Sequence, residues 1–251
     1  MSHTHPHAPV SLLHRYATPL HVVITLGLFV QMSVLAGVAA APGVYGASVA
    51  WAVTSAWPQP WRVLAGCCLA WGAYFSYTVC VIFVAAAFRV ITRAGSPLGT
   101  FSYHSLPAIR WANYNALGLL VRYTCVNFIR VTPLLSLFHR MMGMKIGRRV
   151  LINTAIVADS NLIEIGDDTM IGGDAQVVAH SAERGTIITA PVKIGRRVTV
   201  GLCSVIFPGV TIGDDAVIAA CAVLPKGTKV GPGEIWGGVP ARKIGEIRSR
   251  S

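Results

Sequence analysis

A chain of 251 residues has room for one large unit or two smaller ones. With 53% hydrophobic residues, only 12% charged ones and a formal charge of +11, it is too apolar for an ordinary soluble domain and points to a membrane component. All ten acidic residues lie between Asp159 and Glu246, so the eleven Lys and Arg of the first 158 residues stand unopposed. That basic excess sits in an apolar region without a nucleic-acid recognition motif, which argues against nucleic acid and for anionic lipid headgroups.

In chain order, residues 1–18 read as a flexible basic tail; its His3, His5 and His7 offer metal ligands, but the composition is that of a disordered segment. Residues 19–44 form a first apolar run long enough to cross a bilayer. A secretory signal fits less well, because the run is longer than an h-region and a second one follows. That second run, residues 63–88, is bracketed by Trp61-Arg62 and Arg89, an aromatic and a cation at the water boundary. The linker Tyr45–Pro60 is uncharged, whereas Arg89, Arg93, Arg110, Arg122 and Arg130 follow the second run. The positive-inside rule then puts both termini and the downstream domain on the cytoplasmic side of an inner or plasma membrane. Residues 46–57 are too short to span but long enough to dip into the bilayer.

Residues 105–143 read as interfacial amphipathic helices, with Arg110, Arg122 and Arg130 punctuating Trp111, Tyr114, Leu117, Leu120, Val126 and Phe128. Packing of these helices on the downstream domain is the alternative. Pro133 lacks an N–H and restricts its predecessor, so a break is expected there, followed by a short helix over Leu134–Met142.

From Met144 a repeat takes over. Stepping by six from Ile194 reaches Val200, Ile206, Ile212, Ile218, Leu224, Val230 and Trp236, all large and apolar. The following position is often small: Gly195, Gly201, Gly213, Ala219 and Gly231. An upstream block runs through Ile146 and Ile152, slips by one, and resumes at Ile165, Ile171 and Val177. Each hexad supplies one short strand, whose apolar residue points inward, and one sharp corner that a small residue permits. The fold class is therefore an all-β parallel β-helix over residues 144–245, preceded by an α-helical membrane region and closed by a tail at 246–251.

Pro191–Gly195, Pro208–Asp214 and Gly238–Ile244 carry P-V-x-I-G, P-G-V-x-I-G-D and a G-x-P-A ending, with Arg242 where a Lys is common. In these motifs the chain resembles the hexapeptide-repeat acyltransferases, and among them the galactoside and xenobiotic acetyltransferases. Membrane helices followed by M-x-G-x-x-I-G resemble, more distantly, the terminal modules of polylysine-synthetase-like peptide synthetases. The first resemblance implies a left-handed coil, a homotrimer with active sites between neighbouring coils, acetyl-CoA or another acyl-CoA as co-substrate, and no metal.

It also implies site residues. His180 occupies the place of the family's loop histidine, in a stretch (AHSAERGTIITA) where the hexad register is lost and a loop is expected to leave the coils. Imidazole titrates near neutral pH and suits a general base, removing a proton from an acceptor hydroxyl or amine during direct transfer. A surface histidine without a role is the alternative. Asn153 and Asp159 match an acceptor-contacting stretch, although Asn153 also reads as a turn asparagine. Gly201, Ala219 and Ala220 are expected along the pantetheine arm, and Lys226, Arg242 and Lys243 are cations for its phosphates or solvated charges. Thr199 stands where these families often have an aromatic residue. A carbonic-anhydrase-like reading lacks its histidine cluster, and Cys67, Cys68, Cys80, Cys125, Cys203 and Cys221 read as small hydrophobes. The expectation is a membrane-anchored, CoA-dependent O-acyltransferase acting on a small-molecule or lipid-linked acceptor such as a sugar. The alternatives are transfer to an amino-acid or peptide amine, or a non-catalytic membrane scaffold.

Overall fold

The computed structural model describes residues 17–247. The expectations for the His-rich tail, with His3, His5 and His7, lie outside the described residues, as does most of the C-terminal tail. Two long helices come first, α1 (Ala17–Val53) and α2 (Gln59–Thr92). Both are long and apolar enough to cross a membrane. The segment expected to be an uncharged linker is mostly helix: α1 continues to Val53 and passes into a 3-10 turn, Thr54–Ala56. Nothing in Tyr45–Val53 stops a helix, and Pro58 and Pro60 start the next one, where a missing N–H costs little. The two helices approach closely at Gly43, where an added Cβ would lie 2.7 Å from the Ala73 carbonyl.

α2 ends at Arg93, which adopts a left-handed conformation, and the chain then forms a strand, Gly99–Ser102. Helix α3 (Leu106–Thr124) begins at a Ser105 cap and carries Pro107 in its first turn. The run breaks first at Cys125, before a single turn α4 (Val126–Ile129) and then α5 (Pro133–Met141). Pro133 therefore opens a helix rather than merely ending one. These helices pack on the repeat: Leu117, Val121, Leu135 and Phe138 join the same buried cluster as Ile152 and Ile171. They also present Leu119, Tyr123 and Phe128 outward.

The repeat forms a parallel β-helix with three faces. Face one stacks strands 145–146, 163–165, 192–194, 211–212 and 229–230; face two stacks 151–152, 170–171, 199–200, 217–218 and 234–238; face three stacks 157–158, 176–178, 205–206 and 223–224. The hexad positions from Ile194 through Val230 are each at most 4% exposed, so they fill the core. At the upstream slip Val157, not Ala158, pairs with Val177, and a 3-10 turn at Ser160–Leu162 absorbs the extra residue. The duplicated Ile-Gly-Arg-Arg-Val segments stack Arg149 on Asp168 and Arg197 on Asp215, pairs too exposed to add much stability.

Two buried groups tie helices to the first coil. Tyr114 donates to the Met142 carbonyl at 2.6 Å and accepts from the Asn161 N–H at 3.0 Å, and burial pushes its hydroxyl up. His139 sits 2.9 Å from the Ser160 hydroxyl, and burial drops its pKa to about 4. Because the folded pKa lies below the unfolded one, the stabilisation is complete above about pH 6.5 and is lost as pH falls toward 4. Acid should therefore remove about 3 kcal/mol across that window. Melting temperature against pH should show this loss in the wild type and a flatter profile in His139→Gln.

Candidate active site

The expected loop is a two-stranded antiparallel hairpin, His180–Glu183 against Thr186–Thr189. Arg184 and Gly185 both take positive φ at its tip, the geometry of a tight two-residue hairpin turn. The strand Gly99–Ser102 adds to its other edge, making a three-stranded sheet. His180 is thereby fixed at the base of the hairpin, where the chain leaves face three.

Its Nδ1 lies 2.5 Å from the Asp159 Oδ2, and its side chain is 26% exposed while that of Asp159 is fully buried. The other Asp159 oxygen accepts three further bonds: from the Ser96 hydroxyl at 2.5 Å, the Trp111 indole N–H at 3.0 Å and the Asn115 amide at 3.0 Å. Burial pushes this carboxyl up, but the bond and charge of His180, with the bonds of Ser96 and Asn115, outweigh it and hold the carboxyl below the usual range. Asp159 takes a left-handed backbone conformation, which aspartate tolerates, just before the 3-10 turn. Ser96 is clamped from behind by Asn161, which accepts from the Ser96 N–H and donates to its carbonyl. The Trp111 ring meets the imidazole edge-on, 5.0 Å between centroids.

An ionised carboxylate on Nδ1 makes that nitrogen the proton-bearing one and leaves Nε2 with a lone pair. Nε2 has no partner among the described residues, and the imidazole borders an open groove with Val178, Phe207, Pro225 and Lys226. The arrangement can therefore accept a proton from a molecule in that groove and stabilise the imidazolium that results.

The other expected site residues divide between two places. Lys226 lines the His180 groove, where its ammonium pairs with Glu183 of the hairpin rather than standing free. Asp159 has no exposed oxygen to offer an acceptor, so its geometry is that of a partner to His180, a correction to the expected acceptor contact. Asn153 lies at the corner after face two, its N–H bonded to the Ile171 carbonyl and its amide beside Gly173. Below it in the same column stand Gly172, Gly201, Ala219 and Gly237, so one chain does not bring Asn153 to His180. Gly201 has a packing reason of its own: a Cβ there would lie 2.6 Å from the Ala219 carbonyl carbon. The N–H groups of Gly201 and Ala219 are committed to carbonyls of the next coil, and Ala220 follows them, exposed. Arg242 and Lys243 reach this corner on the strand Ala241–Glu246, which returns antiparallel to face two. Lys243 pairs with Glu234 and Glu246, whereas Arg242 forms no ion pair among the described residues.

Sequence reasoning missed Ser96, Trp111 and Asn115. Trp111 reads in sequence only as part of an aromatic face set on the membrane or on the downstream domain. The spacing of Trp111 and Asn115, four residues apart on one helix face, was a visible signal, but nothing local tells what that face meets.

Residues 191–225 match the family model described as the hexapeptide repeat of succinyl-transferase. The galactoside O-acetyltransferase of Escherichia coli is 34% identical over 116 residues, 43% of this chain and 56% of that protein. The delta-poly-L-ornithine synthetase of Acinetobacter baumannii is 28% identical over 116 residues, 46% of this chain but 9% of that far longer protein. The chain thus spans about half the length of the first and a small fraction of the second. Among solved structures, a hexapeptide-repeat acetyltransferase of Vibrio cholerae complexed with acetyl coenzyme A is 31% identical, with a TM-score of 0.40, over 43% of this chain and 62% of that one. The C-terminal part of the chain is accordingly a hexapeptide-repeat unit similar to those of the galactoside and related acetyltransferases.

Proposed function

We propose that the protein is a membrane-anchored, acyl-CoA-dependent acyltransferase that uses His180 as general base and acts on a hydroxyl of a sugar or lipid-linked acceptor. The His180–Asp159 pair beside an open groove carries this reading, because a scaffold needs no buried carboxylate built to orient an imidazole. His180 Nε2 takes the proton of the acceptor hydroxyl as its oxygen attacks the thioester carbonyl carbon. The carbon–sulfur bond then breaks, and the leaving thiolate recovers that proton from the imidazolium. The co-substrate supplies the activated acyl group. The Gly201–Ala219–Ala220 corner would face its pantetheine arm, and Arg242, which forms no ion pair among the described residues, would meet its phosphates. The coil winds left-handed, as in the resembled family. The protein is a homotrimer, in which the corner of one chain meets the His180 groove of the next and brings Asn153 to the acceptor. α1 and α2 span an inner or plasma membrane with the β-helix on the cytoplasmic side. The likeness to a polyornithine synthetase favours a second reading, in which an amine of an amino acid or peptide is the acceptor.

Incubating the purified protein in detergent with labelled acetyl-CoA and membrane extracts tests the proposal. Label should pass to an extract component; CoA binding without transfer would favour a scaffold instead. In that assay Trp111→Phe, which keeps a ring but removes the N–H to Asp159, should lower kcat by roughly tenfold, the worth of one bond to a charged group. Its KM for acetyl-CoA should stay unchanged, since Trp111 supports His180 rather than the co-substrate.

A further inference from the structure

Beside the Asp159–His180 cluster, α1 and α3 enclose a groove made of two adjoining hollows of about 560 and 540 Å³ that share Thr25, Leu28, Trp111 and Ala112. The first is bordered by Tyr103, His104 and Ile187, the last on the hairpin that carries His180. The second is lined by Phe29, Met32, Leu119, Leu120 and Tyr123 and is almost wholly apolar. Trp111 belongs to both hollows and also touches His180, and Asn115 borders the second while bonding Asp159. One wall of the groove is thus a helix apolar enough for a bilayer, and the other carries partners of the candidate base.

The dimensions indicate what would fill it. From His21 to Met32 the α1 wall rises about 16 Å, roughly half the 30 Å hydrocarbon core and so the depth of one leaflet. A water-filled groove of this lining would be costly inside a membrane, and a protein segment would need backbone partners that the lining does not offer. A single hydrocarbon chain needs neither. Charge does not oppose an anionic headgroup at the hairpin end, where Arg110 lies between Ile109 and Trp111 of the first hollow and Glu183 is paired with Lys226.

We propose that this groove binds the hydrocarbon chain of an amphiphilic acceptor drawn from one leaflet, with its polar end emerging at the His180 hairpin. The assignment of the chain as the acceptor's rests on the acyltransferase reading; the binding itself does not. The protein reconstituted in nanodiscs is exposed to a dodecyl glucoside bearing a diazirine near the chain end, without acetyl-CoA, and the cross-links are mapped by peptide mass. Saturable labelling of residues 25–32 and 111–124, displaced by unlabelled dodecyl glucoside, is expected. Ala112→Phe, which fills the shared stretch, should reduce it to the unsaturable background. Should that variant fold poorly, Thr25→Phe blocks the same stretch from the opposite wall. Unsaturable labelling spread evenly over the outer faces of α1 and α2 overturns the groove. If labelling fails while acetyl transfer to the extract persists, the groove alone is wrong. If labelling holds but no acyl transfer occurs, the groove stands as a lipid site and the acyltransferase reading falls.

Discussion

His180→Ala is expected to lower the turnover of acetyl transfer by about a hundredfold or more, the usual contribution of a positioned general base. The loss should fall on kcat, because the corner proposed to hold the co-substrate lies on a different column of the β-helix. Affinity for CoA, measured by calorimetry, should remain. The fold should survive as well, since backbone pairing holds the hairpin, although the buried Asp159 carboxylate loses one of its donors and the variant should melt below the wild type. Wild-type turnover in this variant would remove His180 from the mechanism.

Asp159→Asn should reduce the same rate by up to about a hundredfold and by no more than His180→Ala does, as expected when a carboxylate that sets a histidine tautomer is replaced by an amide. The physical conflict is specific. Asp159 accepts bonds from four donors, on His180, Ser96, Trp111 and Asn115. An amide can present only one acceptor oxygen to them, and its own N–H groups meet donors. Either the imidazole turns to its other tautomer or a buried donor goes unpaired, which costs about 1–3 kcal/mol of stability. The variant should therefore melt lower than the wild type, which melting curves would show.

Much of the architecture was legible because the hexad is a local rule. Each strand places a single large residue inward, so the step from Ile194 to Val230 appears directly in the sequence. The upstream slip was legible as a slip, but its resolution at Val157 was not, because it depends on a 3-10 turn that folds against Tyr114 and His139. His180 was findable through the break in register and the motif that follows. Its partner was misassigned: Asp159 reads in sequence as one acidic residue near a matched stretch, and only folding shows both its oxygens turned inward. Ser96, Trp111 and Asn115 lie 44 to 63 residues before Asp159, and a contact at that separation leaves no local pattern. The linker was misread because lack of charge between two apolar runs resembles a loop, whereas it marks the uninterrupted end of α1. The four residues Gly99–Ser102 were equally invisible as a strand, since their partner is the His180 hairpin itself.

A double-mutant cycle on acetyl transfer tests the proposal that Asp159 acts through His180. Initial rates with labelled acetyl-CoA and membrane extract would be compared for wild type, His180→Ala, Asp159→Asn and the double variant. The double variant should be no slower than His180→Ala, because without the imidazole the carboxylate has nothing to orient. Losses that multiply, or a wild type that binds CoA and transfers nothing, would contradict it.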